Sequence, residues 1–279
     1  MNLLNTLKIT FFLALISGIF LGIGYFIGGQ TGLIISFALA TIMNVGSYWY
    51  SDKLVLQMHD AKPINRESDP ELFAMVQSLA SKAQIPMPKL YRYQSPQPNA
   101  FATGRNPENG IVAVSTGLLN VLNQDEVEGV LAHEIAHINN RDMLISTIAA
   151  TFGTAISYLG NFFFFLPGGS SDEDGTNPIA GIAMAILAPI AAIMIQMLIS
   201  RSREYTADAT GARLTGNPMG LANALLKIEA FYKQGPKFQP AYQQSAVAHM
   251  YISNPFTPLG QLFSTHPPTT KRVEKLKQM

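Results

Sequence analysis

An uncharged, strongly apolar run extends from Ile9 to Ser51 and limits what the chain can fold into. At roughly 1.5 Å per helical residue it is about 65 Å long, enough to cross a hydrocarbon core about 30 Å thick twice. Residues 28–32, Gly-Gly-Gln-Thr-Gly, supply a turn between the two crossings. The chain of 279 residues is only 13% charged and 48% hydrophobic, which places the excess apolar content in lipid. We therefore predict a transmembrane hairpin over residues 1–50.

A second apolar pair covers residues 143–166 and 178–200, separated by a polar segment rich in Gly, Ser and acids. It predicts a second transmembrane hairpin and a total of four spans. Two alternatives stay open. The first run could be a cleaved signal peptide, although it is longer than a signal core. The second pair could be a buried helical hairpin in a soluble core, since Asn161 and Gln196 dilute it.

The basic residues are distributed asymmetrically around these runs. Of 19 Lys and Arg, one is Lys8, eight lie between Lys53 and Arg141, and ten lie from Arg201 onward, whereas residues 167–177 carry only acids. By the positive-inside rule, both termini and both large polar segments are predicted to be cytoplasmic. The absence of cysteine fits that compartment.

The polar segments contain signals for a small sheet and several helices. Asp69-Pro70 predicts an N-cap and first turn of a helix that ends near Ala83. Strands are predicted at 89–94, 100–103 and 110–115, and further helices at 118–122, 125–140, 201–214, 219–231 and 269–277. The predicted fold is α+β and mainly helical, with four transmembrane helices and a cytoplasmic domain that contains the sheet. The predicted units are 1–50, 51–142, 143–200 and 201–279.

Residues 133–137, His-Glu-Ile-Ala-His, carry the chemistry of the predicted 125–140 helix. Two histidines four residues apart project from one side of a helix, so His133 and His137 can bind one zinc ion. Glu134 between them is placed to act as the general base of peptide hydrolysis, so the cytoplasmic domain is predicted to be a gluzincin-type metalloprotease domain. The alternative is a pair of surface histidines without metal.

A catalytic zinc needs a third protein ligand, which should come from another helix. Glu204 and Asp208 are four residues apart and share a helix face, so Glu204 can bind zinc while Asp208 holds a histidine ring. The 143–200 hairpin would return this helix to the side of His137. Alternatively, both acids pair with nearby arginines at the surface. His59 and His249 have no partner pattern and are interpreted as structural.

The motifs together resemble the HtpX family of membrane-bound heat-shock metalloproteases and, more distantly, the zinc CaaX prenyl proteases. The segments that carry the resemblance are 99–104 (Asn-Ala-Phe-Ala-Thr-Gly), 115–119, 125–142, 202–208 and 264–268 (Ser-Thr-His-Pro-Pro). The resemblance implies that His133, His137 and Glu204 bind one Zn²⁺ per chain and that Glu134 is the base.

The resemblance also implies roles for residues that spacing alone does not assign. His266 would stabilise the oxyanion as a second catalytic residue, and Arg272 would lie in the outer layer of the site with Asp208. The substrate would bind along an edge strand made of Asn99, Ala100, Phe101, Ala102 and Thr103. Plain structural roles remain open for His266 and Arg272.

The resulting hypothesis is an endopeptidase of a bacterial-type inner membrane that removes misfolded or damaged membrane proteins at the cytoplasmic face. Expected partners are such substrates, the lipid bilayer and other membrane quality-control proteases, with no nucleic acid. Two alternatives are a specific processing protease of the CaaX type and a non-catalytic zinc-binding membrane adaptor. The intact Glu134 speaks against the adaptor, because metal binding alone needs no base.

Overall fold

The computed structural model describes residues 3–142, 201–234 and 267–279. The predicted second hairpin, 143–200, lies outside these residues, as do His249 and His266. Within them the fold is mainly helical with one four-stranded sheet, as predicted. The described helices are α1 (Leu3–Met58), α2 (Pro70–Lys82), α3 (Thr116–Val121), α4 (Gln124–Asn139), α5 (Arg201–Thr215), α6 (Pro218–Gln234) and α7 (Thr269–Leu276). The strands are β1 (Lys62–Ile64), β2 (Lys89–Tyr93), β3 (Ala100–Thr103) and β4 (Ile111–Ser115).

Helix α1 differs from the predicted hairpin in two ways. The helical assignment is continuous over 56 residues, through the predicted turn at 28–32, and the helix passes the predicted boundary at residue 50. Gly29, in the middle of the predicted turn, has a left-handed φ of 55°, a conformation that glycine adopts without steric cost. The end of α1 continues past residue 50 because Val55 and Leu56 are buried against the sheet.

None of the helices that the structure describes is recognised as a candidate membrane span. The four predicted spans therefore remain a prediction.

The sheet has the order β1-β2-β4-β3, so β1 and β3 form its edges. β2 and β4 are parallel, and the two outer pairs are antiparallel. The sequence predicted the last three strands but not β1, which lies between the apolar run and the predicted helix that begins at Asp69-Pro70. β1 is three residues long and buries only Ile64, so its alternation is too short to be seen in the sequence.

Alternate residues of β4 face two different layers. Val112 and Val114 belong to the main core beneath α2 and α4, whereas Ile111 and Ala113 pack with the end of α1. This period of two is the pleat of a strand buried on both faces. The sheet therefore lies between the end of α1 and helix α4, which carries the His-Glu-x-x-His motif.

Candidate metal centre

Helix α4 is fixed at its start by a capping box. Asn123 accepts a hydrogen bond from the backbone N–H of Glu126 at 3.0 Å, and the Glu126 carboxylate accepts one from the N–H of Asn123 at 2.9 Å. His133 and Glu134 lie in the second half of the helix and are buried, while His137 is half-buried. The predicted helix and the predicted position of the motif are confirmed.

Helices α4 and α5 approach each other closely, which brings the acidic residues of α5 to the histidines of α4. A Cβ at Gly211 on α5 would lie 3.1 Å from the backbone N of His133, so glycine allows the two helices to meet at this histidine. Glu204 and Asp208 precede Gly211 on α5, and both are buried. Two carboxylates are buried this deeply only when they are paired with charged or hydrogen-bonding groups.

The side chains of His133, His137 and Glu204 converge, as the sequence predicted. Their facing groups form a triangle. The Nε2 atoms of the two histidines are 3.2 Å apart, and a different Glu204 oxygen is nearest to each of them: Oε2 lies 3.7 Å from Nε2 of His133, and Oε1 lies 3.4 Å from Nε2 of His137.

This triangle can be tested against the geometry of a zinc ion. Zinc bonds of about 2.0–2.2 Å at tetrahedral angles separate two ligand atoms by about 3.4 Å. The three observed separations, 3.2, 3.4 and 3.7 Å, lie around that value. Two imidazoles and one carboxylate on a tetrahedral face are the donor set of a catalytic zinc site, which leaves the fourth position for water or substrate. The residues present therefore fit the ion.

Each histidine presents its other ring nitrogen to a carboxylate. Nδ1 of His133 lies 3.0 Å from Asp208, the contact that the sequence predicted, and Nδ1 of His137 lies 3.3 Å from Asp142. Such contacts fix the tautomer with hydrogen on Nδ1 and direct the Nε2 lone pair toward the metal position.

Asp142 is the residue that the analysis of the sequence missed. It follows the end of α4, where Arg141 has a left-handed φ of 60° and the Asp142 N–H donates to the His137 carbonyl at 2.9 Å. This turn folds Asp142 back beneath His137. An aspartate five residues after the second histidine, just beyond the helix end, was the signal that could have identified it.

Each of these aspartates is in turn held by an arginine. Arg272, on α7, donates to both oxygens of Asp208, with Nε at 2.8 Å and Nη2 at 2.6 Å, and its Nη1 lies 3.8 Å from Glu204. Arg203 is 3.4 Å from Asp142 through Nη1. Arg272 is 1% exposed and contacts Asp208, which is compatible with the predicted place in the outer layer of the site.

The electrostatics of the site favour positive charge at its centre. Burial lowers the pKa of His133 to about 4. Burial also opposes the charged form of His137, but hydrogen bonds to Asp142 and Glu204 outweigh it and raise its pKa to about 10. Burial alone would raise the pKa of Asp208, yet the charge of Arg272 holds it well below its usual range. Asp208 therefore stays ionised behind the histidine that faces the position a metal cation would take.

The predicted substrate strand forms an edge of the sheet and packs beside α4. Its residues are buried, and Asn99 just before it supports it by donating from its backbone N–H to Ser115 Oγ at 2.9 Å and from Nδ2 to Tyr93 Oη at 3.1 Å. The edge position is confirmed, while substrate binding by residues 99–103 stays a prediction. His59 packs against the rings of Tyr93 and Phe101, and burial lowers its pKa to about 4.

Comparisons with known proteins agree with this geometry. The model of peptidase family M48 matches residues 66–279. The chain is 50% identical over 277 residues to a protease HtpX homologue of Ralstonia pickettii, covering 99% of this chain and 96% of that protein. It is 49% identical to a protease HtpX homologue of Methylibium petroleiphilum, with 99% and 98% coverage.

A solved structure shares the fold. The crystal structure of S. mikatae Ste24p aligns with a TM-score of 0.50 at 20% identity and covers 97% of this chain, while this chain covers 64% of that one. The match to the family model, the full-length relatives and the convergent His133, His137 and Glu204 lead to one conclusion. The chain belongs to peptidase family M48 and is a metalloprotease.

Proposed function

We propose that the chain is a zinc-dependent endopeptidase of the cell membrane that degrades misfolded or damaged membrane proteins at the cytoplasmic face. The observation that carries the catalytic part is the buried triangle of His133, His137 and Glu204, whose separations of 3.2–3.7 Å suit the ligand spacing of zinc. Two imidazoles and one carboxylate that leave the fourth position open are typical of hydrolytic zinc.

The residues around the triangle divide the work of peptide hydrolysis. A bound zinc ion would polarise the scissile carbonyl and lower the pKa of water, so that the water can lose a proton and attack at neutral pH. Glu134, adjacent to His133 and 5% exposed, takes the proton from the attacking water and later passes it to the leaving amine. Asp142 and Asp208 keep the histidine rings oriented throughout the reaction.

The membrane part of the proposal is supported by the sequence. The run from Ile9 to Ser51 has no charge, and the basic residues avoid both predicted hairpin tips. Among the described side chains, large apolar ones of α1 such as Ile34, Phe37 and Ile42 are exposed. His137 is only six residues before the start of the second apolar pair, so a site there would reach chain that emerges from a bilayer.

The catalytic part is tested by incubating the purified full-length protein with a denatured model substrate, with and without a chelator, and then restoring zinc. We expect cleavage at several internal bonds of unrelated substrates, loss of cleavage with the chelator and recovery with zinc. Cleavage confined to one processing site would favour the CaaX-type alternative. Cleavage that is indifferent to the chelator would refute a zinc enzyme.

The predicted topology is tested by accessibility of tags in sealed and inverted vesicles. Tags near Gly29 and Asp172 should be reached only from outside the cytoplasm, whereas tags near Asp60, near Asn109 and at the C-terminus should be reached only from inside. A tag near Asp60 that is reached from outside would reverse the orientation of the protease domain.

A further inference from the structure

The surface of α1 changes character within two turns near its end. Ile42, Val45 and Trp49 are exposed by half or more of their area, and so is Tyr50, whereas Val55 is 1% exposed. The first charged residues after the apolar run, Asp52 and Lys53, lie between these two regions. Exposed tryptophan and tyrosine at the end of an apolar helix are typical of the interface between hydrocarbon and headgroups.

Two cations lie on these two aromatic rings. The guanidinium of Arg105 is 4.4 Å from the centroid of Trp49, and Nζ of Lys53 is 5.2 Å from the centroid of Tyr50. Both distances are in the range of cation–π contacts. One carboxylate is adjacent, that of Asp52, and it accepts the backbone N–H of Lys53 at 2.8 Å. We refer to Trp49, Tyr50, Lys53 and Arg105 as the boundary patch.

Arg105 comes from the protease domain, not from α1. It follows Gly104, whose φ of 128° is in the region that favours glycine and where a Cβ would lie 2.3 Å from the Asn109 carbonyl oxygen. This turn connects β3 to β4. The boundary patch therefore joins the end of the apolar helix to the loop that follows the edge strand.

Strand β3 also contacts α1 directly, through one of its own side chains. Phe101 of β3 packs with Val55 and Leu56, one to two turns beyond the boundary patch. The edge strand beside α4 is thus fixed to α1 through its own side chain and through the Arg105 loop. If the boundary patch binds a surface, the distance of β3 from that surface is therefore fixed as well.

We propose that the boundary patch binds anionic phospholipid headgroups at the cytoplasmic surface of the bilayer and so places β3 and α4 at headgroup level. The inference rests on the membrane part of the proposed function. Two cations supported by aromatic rings are complementary to lipid phosphates, and the rings take the depth that tryptophan and tyrosine prefer. Chain leaving the bilayer next to α1 would then arrive beside the edge strand.

The chain offers a direct probe, because Trp49 is its only tryptophan. The full-length protein is reconstituted into mixed vesicles of phosphatidylcholine and phosphatidylglycerol in which one lipid or the other carries brominated chains. The extent to which each brominated lipid quenches Trp49 fluorescence then reports how much of that lipid lies beside the boundary patch. We expect preferential quenching by the anionic lipid, with a preference of about fivefold for each cation near an anionic surface.

Charge variants identify the source of this preference. The K53Q/R105Q variant should reduce the preference to near one, and R105K should retain most of it. The K62Q/K82Q variant should keep the full preference, because Lys62 and Lys82 are exposed and are not the cations on the two rings. Equal quenching by both lipids in the unmodified protein, or an unchanged preference in K53Q/R105Q, would overturn the inference.

Two further readouts separate this inference from the proposed function. Absence of quenching by either lipid would refute the membrane placement itself, and the headgroup site with it. Chelator-sensitive cleavage of a denatured substrate is measured on the same samples in detergent. Its loss with an intact lipid preference would refute the proposed catalysis and leave the headgroup site standing.

Discussion

Replacing Asp142 by Asn tests whether the contact missed in the sequence orients a metal ligand. The substitution keeps the size of the side chain but removes the charge that Nδ1 of His137 faces at 3.3 Å. Loss of such an outer partner weakens metal binding by about 10- to 100-fold, or about 1.4–2.7 kcal/mol. We expect zinc to dissociate more readily while the fold is retained.

Comparison with Asp208 narrows the expected loss of zinc affinity within this range. Asp208 lies nearer its histidine, at 3.0 Å, and is held by two hydrogen bonds from Arg272, whereas Asp142 has one contact of 3.4 Å with Arg203. A longer contact from a less constrained carboxylate orients its ring less strongly. The Asp142→Asn variant should therefore lie near tenfold and Asp208→Asn near 100-fold.

The assay is a competition titration of zinc against a chromophoric chelator with purified protein in detergent. Asp60→Asn is the matched control, because Asp60 is exposed and its left-handed φ of 45° is one that asparagine tolerates. Zinc affinity of the Asp142→Asn variant equal to that of the control would show that the contact does not orient His137. A larger loss for Asp142 than for Asp208 would refute the ranking by geometry.

Three other variants test the packing and the chemistry of the site. Gly129→Val should lower the thermal unfolding midpoint markedly, since a Cβ there would lie 2.4 Å from the backbone N of Leu221 on α6; an unchanged midpoint would contradict this close approach. Arg272→Met should lower the free energy of unfolding by about 3–5 kcal/mol in chemical denaturation, because it leaves Asp208 buried without its cation. The double variant Arg272→Met with Asp208→Asn should recover part of this loss. His266→Ala should keep zinc and KM but lower kcat roughly 10²-fold in steady-state kinetics, whereas loss of zinc would make His266 a ligand.

Much of the protease fold could be predicted from local signals. Asp69 caps α2 by accepting the backbone N–H of Leu72, and the predicted bounds of α4 and α7, the end of α5 and the start of α6 agree with the structure to within one residue. These helices were visible because caps, prolines and apolar periodicity act within a few residues. β1 was missed because its pairing with β2 is a long-range property of a three-residue segment.

The candidate site was predicted to a similar extent. His133 and His137 were found because their helical spacing puts both on one face, and Glu204 because it shares a face of another helix with Asp208. Asp142 was not found, since its position depends on the reversal of the chain at Arg141 and not on a helical period. The bidentate contact of Arg272 with Asp208 joins residues 64 positions apart, so sequence spacing carries no information about it.

The central claim is that His133, His137 and Glu204 hold the metal while Glu134 only moves the proton, and one paired measurement tests it. Zinc content and proteolysis are measured side by side for the Glu134→Gln and Glu204→Ala variants. Glu134→Gln should retain about one zinc per chain and lose activity by a factor of about 10² or more, whereas Glu204→Ala should lose most of its zinc. Full activity of a zinc-loaded Glu134→Gln variant, or undiminished zinc in Glu204→Ala, would contradict the account.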